Sequence, residues 1–406
     1  MQQQKSRLKD VMPQYLSQHF PLLSEEKRSC WGCGSCYFNE YTYEQQLETK
    51  QQWIQNLFKE KGLFTEQINI IESPKKKRYR NKMDYVAFRG RIGLRKGGPF
   101  NVYDVIDSCI ADDKSGEILR KLREFTGYEY YDLRSHTGVI RYFVIRTAEH
   151  EGKVEYMLNV ILKEVTPEFI SDFEAFLKTS QLYDLFSSVT LSLQPTKSDV
   201  SYGVVTHVYK NDHILQDLTV NNETFTFQIT ANCFFQSNAA VFQNVLEHMA
   251  HWSKKIDGST GFTLFDLFGG MGTIGIALSK YFKNVVTVDI DEANIEMAQI
   301  NQKTNKVKHY TAIKQDVFEY LKENTDLSGV AIFDPPRPGL GEKTCERFLS
   351  LPKLPEYIFY MSCNPQTLAD DLVHLTKQYE ILEVTAFDMF PSTPHMEAVT
   401  ILKKKN

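Results

Sequence analysis

The stretch FDLFGGMGTIG, Phe265 to Gly275, decides the fold. Apolar residues run up to Phe268 and predict a buried strand, and three glycines among the next four residues predict a tight turn into a helix. Glycine at such a turn lets the backbone approach a ligand closely. The spacing is not the G-x-G-x-x-G of dinucleotide-binding folds, and a tight turn without a ligand is the alternative interpretation.

Strands and helices alternate around this turn, from Phe234 onward. The apolar runs TLFDLF, VVTVDI, VAIFDPP and YIFYMS are separated by helical stretches such as DEANIEMAQINQKTN. That alternation predicts an α/β fold with a doubly wound, Rossmann-like parallel sheet in residues 231–406. Ligands of such sheets bind at the carboxyl ends of the strands.

Acidic residues stand at three successive strand ends, Asp289, Asp316 and Asp334. Carboxylates there suit the hydroxyl groups of a ribose and would repel phosphates. The set therefore favours S-adenosylmethionine over NAD or ATP. Taken singly, each acid has an alternative interpretation as the N-cap of a helix.

A cysteine and a glutamate mark the ends of the last strands. Cys363 follows the run YIFYMS, and Pro365 biases the preceding residue away from helix. A helix starting near Gln366 would place its positive end near the thiol and favour the thiolate. Glu397, in PHME, precedes the final strand. A core cysteine and a solvated acid are the alternative interpretations of these two residues.

Four segments in this order, DLFGGMGTIG, FDPPRPGL, MSCNPQT and DMFPSTPHMEAV, resemble those of the RNA uridine-C5 methyltransferases. These enzymes make 5-methyluridine in tRNA and rRNA, and CFFQSN and YRNKMDY also match family segments. The resemblance implies a class I methyltransferase domain in which Cys363 is the nucleophile and Glu397 the base that removes the C5 proton. The positions that match the S-adenosylmethionine site are Gln236, Phe268, Thr273, Asp289, Asp316 and Asp334.

Three of the seven cysteines form C-x2-C-x2-C, namely Cys30, Cys33 and Cys36, and Cys109 follows far downstream. Four thiolates can hold zinc or a [4Fe–4S] cluster, and reduced structural thiols are the alternative. Many members of the resembled family hold a [4Fe–4S] cluster with three near cysteines and one distant cysteine. The resemblance therefore implies that cluster here, although the family's first spacing is usually longer.

A basic segment runs from Lys75 to Lys96, with ten lysines and arginines and one acid, Asp84. Tyr79, Tyr85 and Phe88 interleave it, a pattern that single-stranded RNA contacts favour. The segment predicts an RNA-binding surface, and a solvated face is the alternative.

The 406 residues predict several units, with 42% apolar and 24% charged residues and a net charge of −4. We predict a helical extension (1–28), a cysteine-rich cluster loop with a helix over Glu44–Phe58 (29–66), and a β-rich α+β RNA-binding unit with a helix over Pro167–Thr179 (67–230). The amino-terminal oligosaccharide-binding-like domain of many relatives is expected to be missing. No apolar run suggests a membrane span or a signal peptide, so a cytoplasmic monomer is expected, with RNA but no membrane as partner.

The predicted function is methylation of uridine C5 in RNA through a covalent bond from Cys363 to C6. The substrate stays open between rRNA and tRNA, with 23S rRNA slightly favoured. Two alternatives remain: a cytosine-C5 methyltransferase, which uses a similar thiol addition, and a non-catalytic RNA-binding or cluster-sensing protein on the same fold.

Overall fold

The computed structural model describes residues 8–20, 36–96 and 98–406, which contain seventeen strands and eleven α-helices. In chain order the strands are β1 (Asn69–Ile71), β2 (Lys82–Phe88), β3 (Arg91–Arg95), β4 (Val102–Asp104), β5 (Ile140–His150), β6 (Lys153–Leu162), β7 (Ser188–Leu193), β8 (Val204–Val208), β9 (His213–Val220), β10 (Glu223–Thr230), β11 (Thr263–Leu267), β12 (Asn284–Asp289), β13 (Tyr310–Lys314), β14 (Gly329–Phe333), β15 (Tyr357–Ser362), β16 (Tyr379–Phe387) and β17 (Glu397–Lys404). The helices are α1 (Leu8–His19), α2 (Tyr43–Glu60), α3 (Ser115–Leu122), α4 (Pro167–Thr179), α5 (Leu182–Leu185), α6 (Ala239–Lys255), α7 (Thr273–Leu278), α8 (Glu292–Thr304), α9 (Val317–Glu323), α10 (Gly341–Leu349) and α11 (Pro365–Leu375).

The carboxyl-terminal sheet has eight strands in the order β1-β16-β17-β15-β14-β11-β12-β13. Its neighbours pair in parallel, except that β17 runs antiparallel to both β15 and β16. Strands that follow β11 are added first on one side of it and then, from β14, on the other. The predicted doubly wound sheet is thereby confirmed, and its switch point lies between β11 and β14, where ligands of such sheets bind.

A second sheet of seven strands has the order β4-β3-β2-β5-β6-β7-β8, and β9 and β10 form a separate hairpin. Only one neighbouring pair of the seven-stranded sheet is parallel, β6 with β7. The α4–α5 segment makes that crossover, and α4 packs its buried Phe169, Phe173 and Leu177 against the sheet. The α4 helix has the predicted bounds because Thr166 caps its first turn and Pro167 occupies the first helical position.

The two amino-terminal helices belong to the core of the carboxyl-terminal sheet. Thr42 and Gln45 form a capping box that starts α2, which contains the predicted helix Glu44–Phe58. Ile54 and Phe58 of α2 share one apolar cluster with Leu16 of α1 and with side chains of β14 and β15. Residues 1–7 and 21–35, including most of the predicted extension and the first two cluster cysteines, lie outside the described residues.

The three-residue strand β1 differs from the expected organisation, which placed it in the central unit. It pairs in parallel with β16, so that Asn69 lies beside Thr385 at the edge of the carboxyl-terminal sheet. A strand this short carries no pattern that identifies its partner, because pairing depends on contacts distant in the chain. In the part of the chain that the structure describes, none of the helices is long and apolar enough to span a membrane.

Candidate functional site

The glycine turn after β11 forms a cradle for a ligand at the switch point. Phe268 has a left-handed backbone with φ 66°, a conformation that a bulky residue adopts only when the surrounding structure imposes it. A Cβ on Gly269 would lie 2.5 Å from Cγ2 of Thr287 and 2.8 Å from a carboxylate oxygen of Asp266. A side chain at position 269 is therefore excluded, and the backbone of the turn packs directly against Thr287 and Asp266.

Asp289 fixes this turn from the neighbouring strand. Its carboxylate accepts the Gly270 N–H at 2.9 Å through Oδ2 and the Asp291 N–H at 2.8 Å through Oδ1. Because Leu267 pairs with Val288, Asp289 lies level with Phe268 at the same sheet edge. The predicted cofactor residues Phe268 and Asp289 therefore lie side by side.

Asp316 lies beyond β13 and is exposed. Its carboxylate accepts the Glu319 N–H at 3.2 Å and caps α9. The alternative interpretation of this acid as a helix N-cap is therefore confirmed, while its other lone pairs stay open to solvent at the edge of the site.

Gln236 and Asp334 form the opposite side of the cradle. The register of β11 with β14 pairs Leu267 with Phe333, so Asp334 follows at the level of Phe268. Gln236 is buried, and its Nε2 lies 3.4 Å from Oδ2 of Asp334. Thr273, also buried, is the first residue of α7 and lies directly after the turn.

Asp266 is a further residue of this site, to which the sequence analysis assigned no role. Its Oδ2 accepts the Gly275 N–H at 3.0 Å, and its Oδ1 has no hydrogen-bond partner among the described residues. Burial, and then the charge of Asp289, raises the pKa of Asp266 to about 7. An acid within the buried strand TLFDL is the signal that could have identified it, since a carboxyl group is seldom buried without a purpose.

Strand register also brings Cys363 and Glu397 together. The antiparallel pairing of β15 with β17 ends at Ser362 opposite Ala398. One register step further, Cys363 and Glu397 face each other across the end of the pair, where side chains of opposed residues are neighbours. Cys363 and Glu397, 34 positions apart in the chain, thus lie side by side, as a nucleophile and a base that act on the same substrate must.

The surroundings of Cys363 favour the neutral thiol, which contradicts the expected thiolate. Burial raises the pKa of Cys363 to about 11, and the charges of Glu397 and Asp334 act in the same direction. Arg337 lowers it, but by less. Although α11 does begin beside the thiol, at Pro365, burial raises the pKa of Cys363, and the charges of Glu397 and Asp334 add to that shift.

Glu397 is almost fully buried, with 2% of its surface exposed. Burial, and then the charge of Asp334, raises its pKa well above the ordinary value, while Arg337 opposes the shift. Its Oε2 has no hydrogen-bond partner among the described residues. Burial raises the pKa of Asp334 to about 7 as well. Three carboxyl groups with raised pKa values thus form a series, in which the charge of Asp266 acts on Asp334 and that of Asp334 on Glu397. Groups of this kind suit proton transfer near neutral pH.

A cleft of about 190 Å³ opens beside Cys363. Its lining comes from α1, α2, the turn after β14, the start of α11 and the segment before β17. The lining residues are Leu8, Lys9, Trp53, Arg337, Cys363, Asn364, Pro365, Gln366, Pro394, His395 and Met396. Asn364 and Thr367 hold the turn after β14 by donating to the backbone oxygen of Arg337 at 3.2 and 3.1 Å.

Lys50 of α2 holds the segment that leads into Glu397. Its Nζ lies 2.5 Å from Oδ1 of Asp388 and donates to the backbone oxygens of Phe390 at 3.2 Å and His395 at 2.9 Å. The side chain is fully buried, and burial lowers its pKa although Asp388 opposes the shift. Lys50 was not predicted as a functional residue from sequence; its place four residues before Ile54, on the apolar face of α2, was the available signal.

Much of the positive charge of the basic segment is paired with acids, five of its cations with acids from elsewhere in the chain and Lys82 with Asp84. Six of its ten cations lie within 4.0 Å of a carboxylate oxygen, for example Arg78 with Asp107 at 2.9 Å and Arg95 with Asp199 at 2.5 Å. The expected aromatic contacts with RNA are wrong, because the three rings are buried: Tyr79 (4% exposed), Tyr85 (0%) and Phe88 (5%). The cations for which no such acid lies among the described residues are Lys77, Arg80, Arg91 and Lys96.

Two of the four predicted cluster ligands meet in the structure. Sγ of Cys36 lies 2.6 Å from Sγ of Cys109, although 73 positions separate them. Cys30 and Cys33 lie outside the described residues. Within residues 8–20, 36–96 and 98–406, no three His, Cys, Asp or Glu side chains are grouped as a metal site.

Known proteins are similar to this chain in both sequence and fold. Residues 204–405 match the family model "tRNA (Uracil-5-)-methyltransferase". The chain is 33% identical to the tRNA (uracil(54)-C(5))-methyltransferase of Pyrococcus horikoshii, over 91% of this chain and 83% of that protein. It is 31% identical to an uncharacterized RNA methyltransferase of Clostridium tetani, over 95% and 85%. The crystal structure of Pyrococcus abyssi tRNA (uracil-54, C5)-methyltransferase with S-adenosyl-L-homocysteine superposes with a TM-score of 0.73 at 28% identity, covering 91% of this chain and 85% of that one.

Proposed function

The chain belongs to the tRNA (uracil-5-)-methyltransferase family, and on that basis we propose that it methylates C5 of uracil 54 in tRNA. As a member it is an S-adenosylmethionine-dependent RNA uracil-C5 methyltransferase. The similarity to the Pyrococcus enzymes, whose names state uracil 54 of tRNA, supports this substrate. The slight preference of the sequence analysis for 23S rRNA receives no such support, so tRNA replaces it.

The observation that carries the chemical proposal is the register that opposes Cys363 and Glu397 beside the glycine cradle. C5 of uracil is a poor nucleophile. Addition of the Cys363 sulfur to C6 breaks the C5–C6 double bond and makes C5 enolate-like and nucleophilic. After C5 has gained the methyl group, Glu397 removes the C5 proton, the C5–C6 double bond re-forms, and the sulfur leaves.

The cradle fits S-adenosylmethionine, which when bound supplies an electrophilic methyl group. The backbone of the glycine turn would accommodate the ligand closely, and Asp289 would accept hydrogen bonds from ribose hydroxyls. Gln236, Phe268, Thr273, Asp316 and Asp334 would complete the site. Oδ1 of Asp266 is buried without a hydrogen-bond partner among the described residues, which supports a polar or cationic neighbour from a bound ligand.

Proton transfer must accompany substrate binding, because the free Cys363 thiol holds its proton at neutral pH. Asp334, whose charge raises the pKa of both Cys363 and Glu397, is the neighbouring carboxylate that can take this proton. Once Asp334 has taken a proton, its charge no longer raises the pKa of Glu397, which favours the carboxylate form that Glu397 needs to accept the C5 proton. Arg337, which opposes both shifts, stabilises the negative charge that develops on sulfur and on the enolate.

We expect methyl transfer from labelled S-adenosylmethionine to an unmodified tRNA transcript. Replacing U54 with cytidine in the transcript should abolish it, because cytidine lacks the O4 carbonyl at which the enolate forms. Nucleoside chromatography with mass detection identifies the product as 5-methyluridine, and a 23S rRNA transcript serves as the comparison. If only the rRNA transcript is methylated, rRNA is the substrate. If the product is 5-methylcytidine, the protein is a cytosine-C5 methyltransferase.

For the cysteines we propose a [4Fe–4S] cluster held by Cys30, Cys33, Cys36 and Cys109. The approach of Cys36 to Cys109 supports this proposal, since nothing in their sequence positions requires them to meet. Each of the four cysteines would supply one thiolate to a different iron of the cluster, and the sulfurs of Cys36 and Cys109 would have to move apart to hold it.

Protein purified without oxygen should contain iron and sulfide at about four each per chain and be brown. Cys109→Ser should lose both, whereas Cys345→Ser, at a buried cysteine of α10, should keep them. Elemental analysis and the visible absorption spectrum are the measurements. Stoichiometric zinc in a colourless protein, or a Cys36–Cys109 disulfide found by peptide mapping, would overturn the cluster.

A further inference from the structure

The first turn of α1 forms one wall of the catalytic cleft. Leu8, Met12 and Leu16, spaced four residues apart, are buried in the apolar cluster that α1 shares with α2. With this face packed, the opposite face of α1 lies toward solvent, and Leu8 and Lys9 line the same cleft as Cys363. Elements from the two ends of the chain, α1 and α11, therefore border the same opening.

Among the described residues, the lining of this cleft is cationic and contains neither Asp nor Glu. Lys9 is exposed, and neither Lys9 nor Arg337 has an acidic partner among the described residues. Burial, and then the charges of Arg337, Lys50, Arg80 and Lys9, lowers the pKa of His395 to about 4, so this side chain is neutral at pH 7. Within the part of the chain that the structure describes, the positive charge at the opening that lacks an acidic partner thus comes from Lys9 and Arg337.

A second, larger groove of about 540 Å³ lies between the central sheet, the β9–β10 hairpin and the start of α6. It is balanced in charge, because Lys75, Arg78 and Arg80 stand against Asp112, Glu149 and Asp217. A polyanion is attracted to uncompensated charge. Of the two openings, the cleft beside Cys363 is therefore the one suited to an RNA backbone.

We propose that α1 is part of the RNA-binding surface and that Lys9 binds a phosphate next to the target uridine. The proposal rests on the proposed function, since it assumes that the uridine enters the cleft beside Cys363. An ammonium group on a flexible side chain at the rim can follow a phosphate without fixing the base, so Lys9 acts on affinity and leaves the chemical step to Cys363 and Glu397.

Lys9→Ala should raise the KM for tRNA about five- to tenfold and leave kcat unchanged, because one charge-assisted phosphate contact is lost. The slope of log affinity against log salt should fall by about 0.7 to 0.9, which corresponds to one phosphate. Lys9→Glu should weaken tRNA binding more than Lys9→Ala does, and Lys9→Arg should keep the wild-type affinity. Affinity for S-adenosylmethionine should not change in any of the three.

The matched control is Lys403→Ala, an exposed lysine on β17 six residues beyond Glu397, roughly 20 Å along the strand. The inference is overturned if Lys9→Ala and Lys403→Ala bind a fluorescent tRNA transcript with the same affinity and salt slope. Binding is measured beside turnover, so the two proposals can fail separately. Wild-type protein that binds tRNA through Lys9 but transfers no methyl group would refute the proposed function and leave this inference standing.

Discussion

Cys363→Ala should reduce methyl transfer to tRNA by at least about 10³-fold and abolish any covalent protein–RNA complex. Without the sulfur, no bond to C6 forms, and C5 of uracil stays a poor nucleophile. The measurement is a denaturing gel with a labelled methyl donor, together with initial rates. Cys345→Ala makes the same replacement at a cysteine outside the cleft, in α10, and should keep the wild-type rate.

Glu397→Gln should fail at a later stage and leave a different product. Addition of sulfur to C6 and methylation of C5 need no carboxylate at position 397, but loss of the C5 proton does. A denaturation-resistant adduct that carries the methyl group should therefore accumulate, while turnover falls about 10²- to 10⁴-fold. Glu380→Gln, an exposed glutamate on the neighbouring strand β16, is the matched control.

The contrast between the two variants is the decisive result. Both lower turnover, but only Glu397→Gln should trap methylated RNA on the protein. Normal turnover without an adduct in Glu397→Gln would assign the base to another carboxylate, of which Asp334 is the nearest candidate by its effect on Cys363. An adduct in Cys363→Ala would remove Cys363 from the mechanism.

Lys50→Met should lower the free energy of unfolding by about 3–5 kcal/mol, because it leaves Asp388 buried without its cation. Methionine keeps much of the volume of lysine, so the loss reports the charge and its hydrogen bonds rather than a cavity. The backbone oxygens of Phe390 and His395 lose their donor as well. Since this segment leads into Glu397, kcat should fall together with stability. Urea unfolding and initial rates are the measurements.

Two further variants separate the buried pair from a general effect on α2. Lys59→Met changes an exposed lysine of the same helix and should alter stability by no more than about 0.5 kcal/mol. The double variant Lys50→Met/Asp388→Asn should recover part of the loss, because no ionised group then remains buried. If Lys50→Met is no less stable than Lys59→Met, Lys50 is not a positioning residue for the segment before Glu397.

The doubly wound sheet and the positions of its strand-end residues could be predicted from sequence because both follow from chain order. A glycine turn, acids at successive strand ends and a cysteine after the fifth run must gather at one edge once parallel strands align their carboxyl ends. Helices with their own capping signals, such as α4 and α2, could equally be predicted from sequence. The three-residue β1 was not, since its partner β16 lies more than 300 residues away.

The sequence by itself thus determined the doubly wound sheet and the gathering of Cys363 and the predicted strand-end cofactor residues at one edge, whereas the antiparallel register of β17 with β15 placed Glu397 opposite Cys363. Only the tertiary structure decided which of these side chains carry a proton and which other residues hold them in place. Desolvation and charges from separate strands keep Cys363 neutral, against the expectation drawn from its own helix. Acids from outside the basic segment pair with half of its ten cations, and α2 supplies Lys50 to a segment more than 330 residues further on. The physical reason is the same in each case: the state of a charge depends on burial and on neighbours in space, and neither can be read from neighbours in the chain.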